Sequence, residues 1–586
     1  MSGELTTAWG AGLDPGAVLP EYPRPQLVRD SHLNLNGHWD YAITGDAREP
    51  AAYDGRILVP FSPEAPLSGV GRQLRPGQTL WYRRALTLPG GFRLPGGRVL
   101  LHFGAVDQVC EVRLNGVTAG THEGGYLPFT LDVTDLLGEG ENTLVVAVRD
   151  DSDSGQGAWG KQRLRRGGIW YTAQSGIWQT VWAECVPTPY VERLTLTPHL
   201  AGGRVEVTVH AGGGTGGGTA DVEILAEGVT VARARVPAGR PVRLDIPGVR
   251  PWSPEDPFLY DVTVELGADR VRGYVGMRSF GVGPDADGVP RLLLNGRPYF
   301  HAGVLDQGYW PDGLYTAPSD AAMIHDIATM KRLGFTMLRK HIKVEPLRWY
   351  HHCDRLGVLV WQDLVNGGGP YHPLVVTAPV LTPLRLSDRR HRRFGRADAA
   401  GRARFESDLR ETVEHLRNVV SLAMWVPFNE GWGQFDAARI AAELAALDPT
   451  STVDHASGWH DQGAGDVRSL HVYFRRFRPP RRRRGERRAL VLSEYGGHGL
   501  RVAGHTWGER RFGYRNHDTA AGLAGAFARM HLTEIVPAIG KGLSATVYTQ
   551  LSDVEDELNG LLTYDRAVLK VPADVVRAIN ERLRLP

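Results

Sequence analysis

Two apolar runs in this chain end in a glutamate: SLAMWVPFNE closes at Glu430, and ALVLSEYGG carries Glu494. Runs of this kind read as strands of a parallel sheet covered on both faces, with the acid at the C-terminal tip. Two carboxyl groups brought to one pocket from strand tips can cleave a glycosidic bond. One protonates the leaving oxygen while the other attacks the anomeric carbon. The two positions are 64 residues apart, room for about three strand–helix steps at roughly 20–30 residues each. That places them on the fourth and seventh strands of a barrel. A single strand-tip glutamate is more often a salt-bridge partner at the rim; a pair in this setting favours chemistry.

The elements that would hold the pair follow Leu292, where strand and helix patterns alternate. Candidate strands are 299–305, 335–341, 357–363, 421–430, 451–457, 467–473, 489–494 and 544–550. Between the first two, SDAAMIHDIATMKRLG has Ser319 as N-cap, apolar residues at helical spacing and Gly334 as a stop. Eight strands with helix-sized connections over nearly 300 residues fit a (β/α)₈ TIM barrel, whose chemistry sits at the C-terminal strand ends. The tips gather Asp306, Arg339, His341, Asp363, Asn429, Glu430, His455, His471, Tyr473, Glu494 and Gln550 around one mouth. So many polar groups at one end ask for a polar ligand.

Before the barrel the chain is strand-and-turn sequence. Residues 1–186 hold short strands such as LWYRRALTL, RVLLHFGAV and NTLVVAVRD with no helical period, as in a jelly-roll β-sandwich. Residues 187–284 hold about seven more strands, the size of an immunoglobulin-like sandwich. The Gly-rich piece at 212–218 reads as a flexible turn, since no helix follows it to make a phosphate loop. The barrel domain is then 285–586.

Composition bounds the function. With 586 residues, 42% hydrophobic and 23% charged, the chain is an ordinary globular protein too long for one core. A net charge of +2 gives no global field for nucleic acid or membrane. Cys110, Cys185 and Cys353 are few and far apart, so neither a disulfide framework nor a Cys-based zinc site is expected. No secretory leader pattern and no bilayer-length apolar stretch is visible, and the expected location is the cytoplasm. A homo-oligomer is compatible with the sequence.

The chain resembles glycoside hydrolase family 2, the β-galactosidase and β-glucuronidase family, over essentially its whole length. The resemblance rests on the domain order and on SGIWQTVWAE (175–184), LLNGRPYFHAGV (293–304) and WVPFNEGWG (425–433). It implies Glu430 as general acid/base, Asn429 as partner of the sugar 2-hydroxyl, and Glu494 as nucleophile. It further implies that Arg339 supports the nucleophile, that His341 touches the sugar and that Tyr473 buttresses Glu494. The implied activity is a retaining exo-glycosidase on terminal β-linked galactoside-type sugars, working by double displacement with no cofactor and no metal. A furanosidase of the same family, β-D-galactofuranosidase or α-L-arabinofuranosidase, stays open, because ring size depends on pocket contours at His341, Trp361, Asp363, His455 and His471. A non-catalytic carbohydrate-binding protein is disfavoured by the presence of both glutamates.

Departures from the family pattern carry information. β-Glucuronidases carry Asn-x-Lys after strand eight, and the lysine holds the substrate carboxylate; here the stretch is Asn559-Gly560-Leu561. A buried carboxylate without a cation is strongly disfavoured, so glucuronides are not the expected substrate. Before strand four the chain has Asn418-Val419-Val420-Ser421 where the family has Asn-His-Pro-Ser, which touches strand entry alone. The arginine-dense 475–488 reads as a solvated segment rather than a nucleic-acid site. Adjacent His351 and His352 point apart on a helix and are not expected to bind metal. The long connection holding HRRFGR (391–396) has the length of a lid over the sugar.

Overall fold

The computed structural model describes residues 5–214, 217–382, 384–482 and 485–585. Residues 215–216 of the Gly-rich turn and 483–484 of the arginine-rich segment lie outside the described residues. The first sandwich packs a six-stranded antiparallel sheet against a four-stranded one. In Val109–Leu114 the alternate residues Cys110, Val112 and Leu114 point inward, the period-2 pattern of a half-buried strand. The second sandwich pairs a three-stranded with a four-stranded sheet around Val205, Val207, Val222, Val262 and Val264. The three cysteines are buried and unpaired. Among the described residues no helix is long and apolar enough to cross a membrane.

The third domain is the barrel. Its parallel strands are β1 (His301–Asp306), β2 (Met337–Lys340), β3 (Leu359–Asp363), β4 (Leu422–Val426), β5 (Thr452–Val453), β6 (Val467–Val472), β7 (Ala489–Gly496) and β8 (Leu543–Thr549). They pair in the order β5-β4-β3-β2-β1-β8-β7-β6. The seam between β5 and β6 lacks a ladder and is bridged instead by Asp466, which exchanges hydrogen bonds with the Val453 backbone at 2.8 Å. Helix α1 (Asp320–Arg332) starts where expected, with Ser319 Oγ accepting from the Ala322 amide at 3.2 Å.

Strand β3 shows how the core is layered. Leu359 and Trp361 face the barrel interior with Met337, Met424 and Val491, whereas Val360 faces the surrounding helices. Asp363, the next inward residue, reaches the top layer. A three-stranded unit (280–298) closes the other end, with Leu292, Phe280 and Val282 under the interior layers.

The N-terminal segment before the first sandwich is a strap. The Thr7 amide and hydroxyl bond Asp312 of the barrel, at 2.8 and 2.6 Å, and Val28 pairs with Arg272 of the second sandwich. Arg24 and Arg29 converge on buried Glu184, whose carboxyl they hold well below the ordinary range against the upward push of burial. The strap therefore ties three domains together through buried polar contacts.

Candidate active site

Beyond β4 the chain stays extended through Phe428 and Asn429, and Asn429 bridges Ser457 after β5. Glu430 then takes a left-handed backbone, φ 50°, and its amide donates to the Ser457 carbonyl at 3.0 Å. A non-glycine residue held there costs about 1–3 kcal/mol and is characteristic of sites that fix a side chain's direction. A register irregularity in β7 does similar work: against both neighbouring strands β7 gains one residue after Leu492, which shifts the alternation at its tip and turns Glu494 into the pocket. There it meets His471, which keeps the inward parity of Val467 and Ser469 along β6.

The two glutamates share two partners. His471 Nδ1 lies 2.8 Å from Glu430 Oε1, and its Nε2 lies 3.6 Å from Glu494 Oε1. The Tyr473 hydroxyl is 2.5 Å from Glu494 Oε2 and 3.3 Å from Glu430 Oε1. An oxygen of each carboxyl and a nitrogen of His471 all fall within 4.8 Å of one another. Tyr514 stacks on Tyr473 at 4.0 Å and holds the phenol in place.

Arg339 is the charge beneath them. Its Nε and Nη2 grip Asp363 at 2.9 and 3.0 Å, Nη1 donates to Glu494 Oε1 and to the Ser493 carbonyl at 3.0 Å, and Nη2 also reaches Asn429 Oδ1 at 2.9 Å. These contacts use all five guanidinium donors. They also orient Asn429, whose Nδ2 is buried without a protein acceptor and is left for a ligand. Asp363 Oδ2 further takes His341 Nδ1 at 2.7 Å.

The environment splits the two carboxyls. Burial would raise Glu494, but His471, Arg339, His341 and the Tyr473 hydroxyl outweigh it and bring its pKa down to about 2. Glu430 moves up: burial dominates, the charge of Glu494 adds to it, and His471 opposes. The two acids are thus pushed apart, Glu494 towards its anion and Glu430 towards its proton.

Four expected site residues lie elsewhere. Asp306 points out of the barrel, paired with Lys340 at 2.6 Å in a buried network with Glu345; it has the opposite parity to inward Leu305. Trp361 is one layer below Asp363 and donates to His301 Nδ1 at 3.0 Å. Gln550 is fully engaged, donating to Asn559 Oδ1 at 2.8 Å and accepting from Gln307 at 2.7 Å. His455 sits in the loop after β5, where Nε2 accepts from the Gln462 amide at 2.9 Å beside Asp461. Arg339, His341, Asp363, Asn429, Glu430, His471, Tyr473 and Glu494 are brought together.

Flanking features behave structurally. His352 Nδ1 accepts from Arg355 at 2.9 Å, and His351 packs on Tyr274. The 391–396 segment docks on the loop that follows Glu430, with Arg396 donating to the Gly433 carbonyl at 3.0 Å. Sequence reading missed Trp432 and Lys161. Trp432 follows Glu430 by two positions, inside the very motif that marks the acid.

The family model described as glycosyl hydrolase 2 galactose-binding domain-like matches residues 73–172, and that described as glycosyl hydrolases family 2 matches 190–278. A β-galactosidase of Klebsiella pneumoniae (strain 342) is 26% identical over 512 residues, 77% of this chain and 46% of that protein. A β-glucuronidase of Canis lupus familiaris is 26% identical over 411 residues, 61% of this chain and 60% of that one. The chain thus spans about half the length of these curated relatives. A solved β-D-glucuronidase of Dictyoglomus thermophilum superposes with a TM-score of 0.73 at 17% identity, over 96% of this chain and 98% of its own, which supports the three-domain fold. The two domain matches and the relatives named β-galactosidase and β-glucuronidase support glycoside hydrolase family 2.

Proposed function

We propose that the chain is a retaining exo-glycosidase that releases terminal, neutral, β-linked sugars of galactoside type. The observation that carries the reading is the pair Glu430–Glu494, joined through His471 and Tyr473 with protonation preferences pushed apart. Carboxyl groups about 5–5.5 Å apart suit attack by one of them, whereas inverting enzymes need a wider gap for water. One oxygen of each carboxyl lies within 4.8 Å of the other's, a near approach that favours the shorter spacing over the wide gap of an inverting pair. Glu430 and Glu494 are buried, 6% and 4% exposed.

The steps follow from these positions. The Glu494 carboxylate attacks the anomeric carbon as the bond to the leaving oxygen breaks, and Glu430 delivers its proton to that oxygen. The product is a glycosyl ester of Glu494. Glu430, now an anion, takes a proton from water, which attacks the same carbon and expels Glu494. Asn429 Nδ2 is free to bind the 2-hydroxyl, an interaction that strengthens in the oxocarbenium-like state.

The case for a neutral sugar rests on the loop after β8. Leu561 is buried in the apolar core, and Lys570 is spent on Asp553 at 2.6 Å and two backbone carbonyls. The same loop carries the carboxyl of Glu557, which accepts from Asn559 and Tyr171. A panel of nitrophenyl glycosides, pyranosides and furanosides together, tests the reading. Hydrolysis of a neutral β-glycoside that is lost in Glu494→Gln supports it; no hydrolysis of any glycoside contradicts it.

A further inference from the structure

The chain has only six lysines, at 161, 331, 340, 343, 541 and 570. Its exposed cations are almost all arginine, so a lysine kept inside calls for a reason. Lys340, Lys343 and Lys570 are buried and each has two or more oxygen acceptors. Lys331 caps three carbonyls, and Lys541 is exposed. Lys161 differs. It is 5% exposed, and its ammonium group makes no ion pair and no hydrogen bond to the described residues. Its neighbours are the ring faces of Tyr171 and Trp432, with centroids at 5.3 and 5.7 Å.

A cation so placed is poorly compensated, since ring faces return only part of what desolvation removes. Its position is also specified. The Trp159 and Gly160 amides donate to the Asn366 carbonyl of the barrel at 3.0 and 3.1 Å. Gly160 is left-handed, φ 65°, and a Cβ there would lie 3.2 Å from the Ile342 carbonyl, one residue past His341. The loop of the first sandwich is thus pressed against the β2 tip. Lys161 is near enough to Glu430 and His341 for its charge to act on both, and Trp432 spans the space to His341, with centroids at 6.4 Å.

We propose that Lys161 is a substrate-binding residue, its ammonium group donating to adjacent oxygens of the terminal sugar. This rests on the glycosidase reading and adds the group that recognises the glycone from outside the barrel. The shared chemistry is a cluster of oxygen acceptors, supplied by hydroxyls in a neutral sugar or by a carboxylate in a uronide; the neutral sugar is the source expected here.

The test measures Lys161→Met and Lys161→Gln on the best neutral nitrophenyl glycoside of the panel and on the uronide of the same configuration. Lys161→Met should lower kcat/KM by about 10- to 100-fold, the range for hydrogen bonds from a charged donor. It should also move the basic limb of the pH profile upward, because a cation near Glu430 is lost. A purely structural role would leave that limb in place. Lys161→Gln keeps two N–H donors without charge, so partial recovery on the neutral glycoside alone identifies hydroxyls as the acceptors. If Lys161→Met does not fold, Lys161→Gln carries the same comparison. Wild-type kcat/KM and an unmoved limb in the folded variants overturn the proposal, while loss of activity in Glu494→Gln leaves the glycosidase reading standing. A wild-type protein inert on every glycoside overturns both.

Discussion

Arg339 Nη1 meets Glu494 Oε1 at 3.0 Å while the other donors of the same guanidinium are taken by Asp363, Asn429 and the Ser493 carbonyl. One buried cation therefore helps His471 to hold the proposed nucleophile as an anion and also orients the amide beside the proposed acid. A lysine cannot reproduce this, since its three donors radiate from a point rather than lie in a planar fork. Arg339→Lys should reduce kcat/KM by about two to three orders of magnitude, equivalent to roughly 3–4 kcal/mol, as expected when a buried pair is broken. Steady-state kinetics on the folded variant check this.

The pH profile follows from the same pair. Activity needs Glu494 ionised, and its pKa is lowered, so the acid limb should lie below the ordinary carboxylate range. Activity also needs Glu430 protonated, and its pKa is raised, so the basic limb should lie above that range. Arg339→Lys should carry the acid limb upward. A profile of kcat/KM against pH in which the basic limb follows Glu494→Asp rather than Glu430→Asp would reverse the assignment.

Substrate charge is a separate expectation. With Lys570 paired, Glu557 on the same loop and Lys161 expected to meet sugar hydroxyls, an aryl β-glucuronide should be cleaved far more slowly than the best neutral β-glycoside. Comparable kcat/KM values on the two would contradict the neutral-sugar reading.

Gly160 offers a test at the domain junction. A Cβ there would meet the Tyr126 and Tyr315 hydroxyls and the Ile342 carbonyl at 3.0–3.2 Å, on a left-handed backbone. Gly160→Ala should cost about 1–3 kcal/mol in unfolding free energy and lower kcat/KM, although no barrel residue is changed. Denaturant melts alongside kinetics measure both.

Much of this was legible in the sequence because it is local. Each expected barrel strand overlaps an observed one, Ser319 caps its helix, and Glu430 and Glu494 follow or end apolar runs that form buried strands. What was not legible is side-chain direction. Asp306 and Gln550 were placed at the mouth by position along the chain, yet alternation turns Asp306 outward and Asn559 captures Gln550. Trp361 has the right parity but stands one layer too deep. Conversely, Glu494 faces the pocket through an irregularity in β7 that no pattern announces, whereas His471 follows the plain alternation of β6. Lys161 comes from another domain, more than 170 residues before His341, and only its rarity as a lysine in an arginine-rich chain hinted at it.

The central claim, that Glu494 attacks and Glu430 passes the proton, is tested most directly by the anomeric configuration of azide products. Glu430→Ala should still be glycosylated by a dinitrophenyl glycoside, because that leaving group needs no proton, and then stall. Added azide should release a glycosyl azide of retained configuration, since it displaces Glu494. Glu494→Ala leaves an open face, so azide should attack directly and give the inverted product. Proton NMR of the two products reads the result: retention from Glu430→Ala with inversion from Glu494→Ala is the outcome expected, and the exchanged pair of configurations would contradict the assignment.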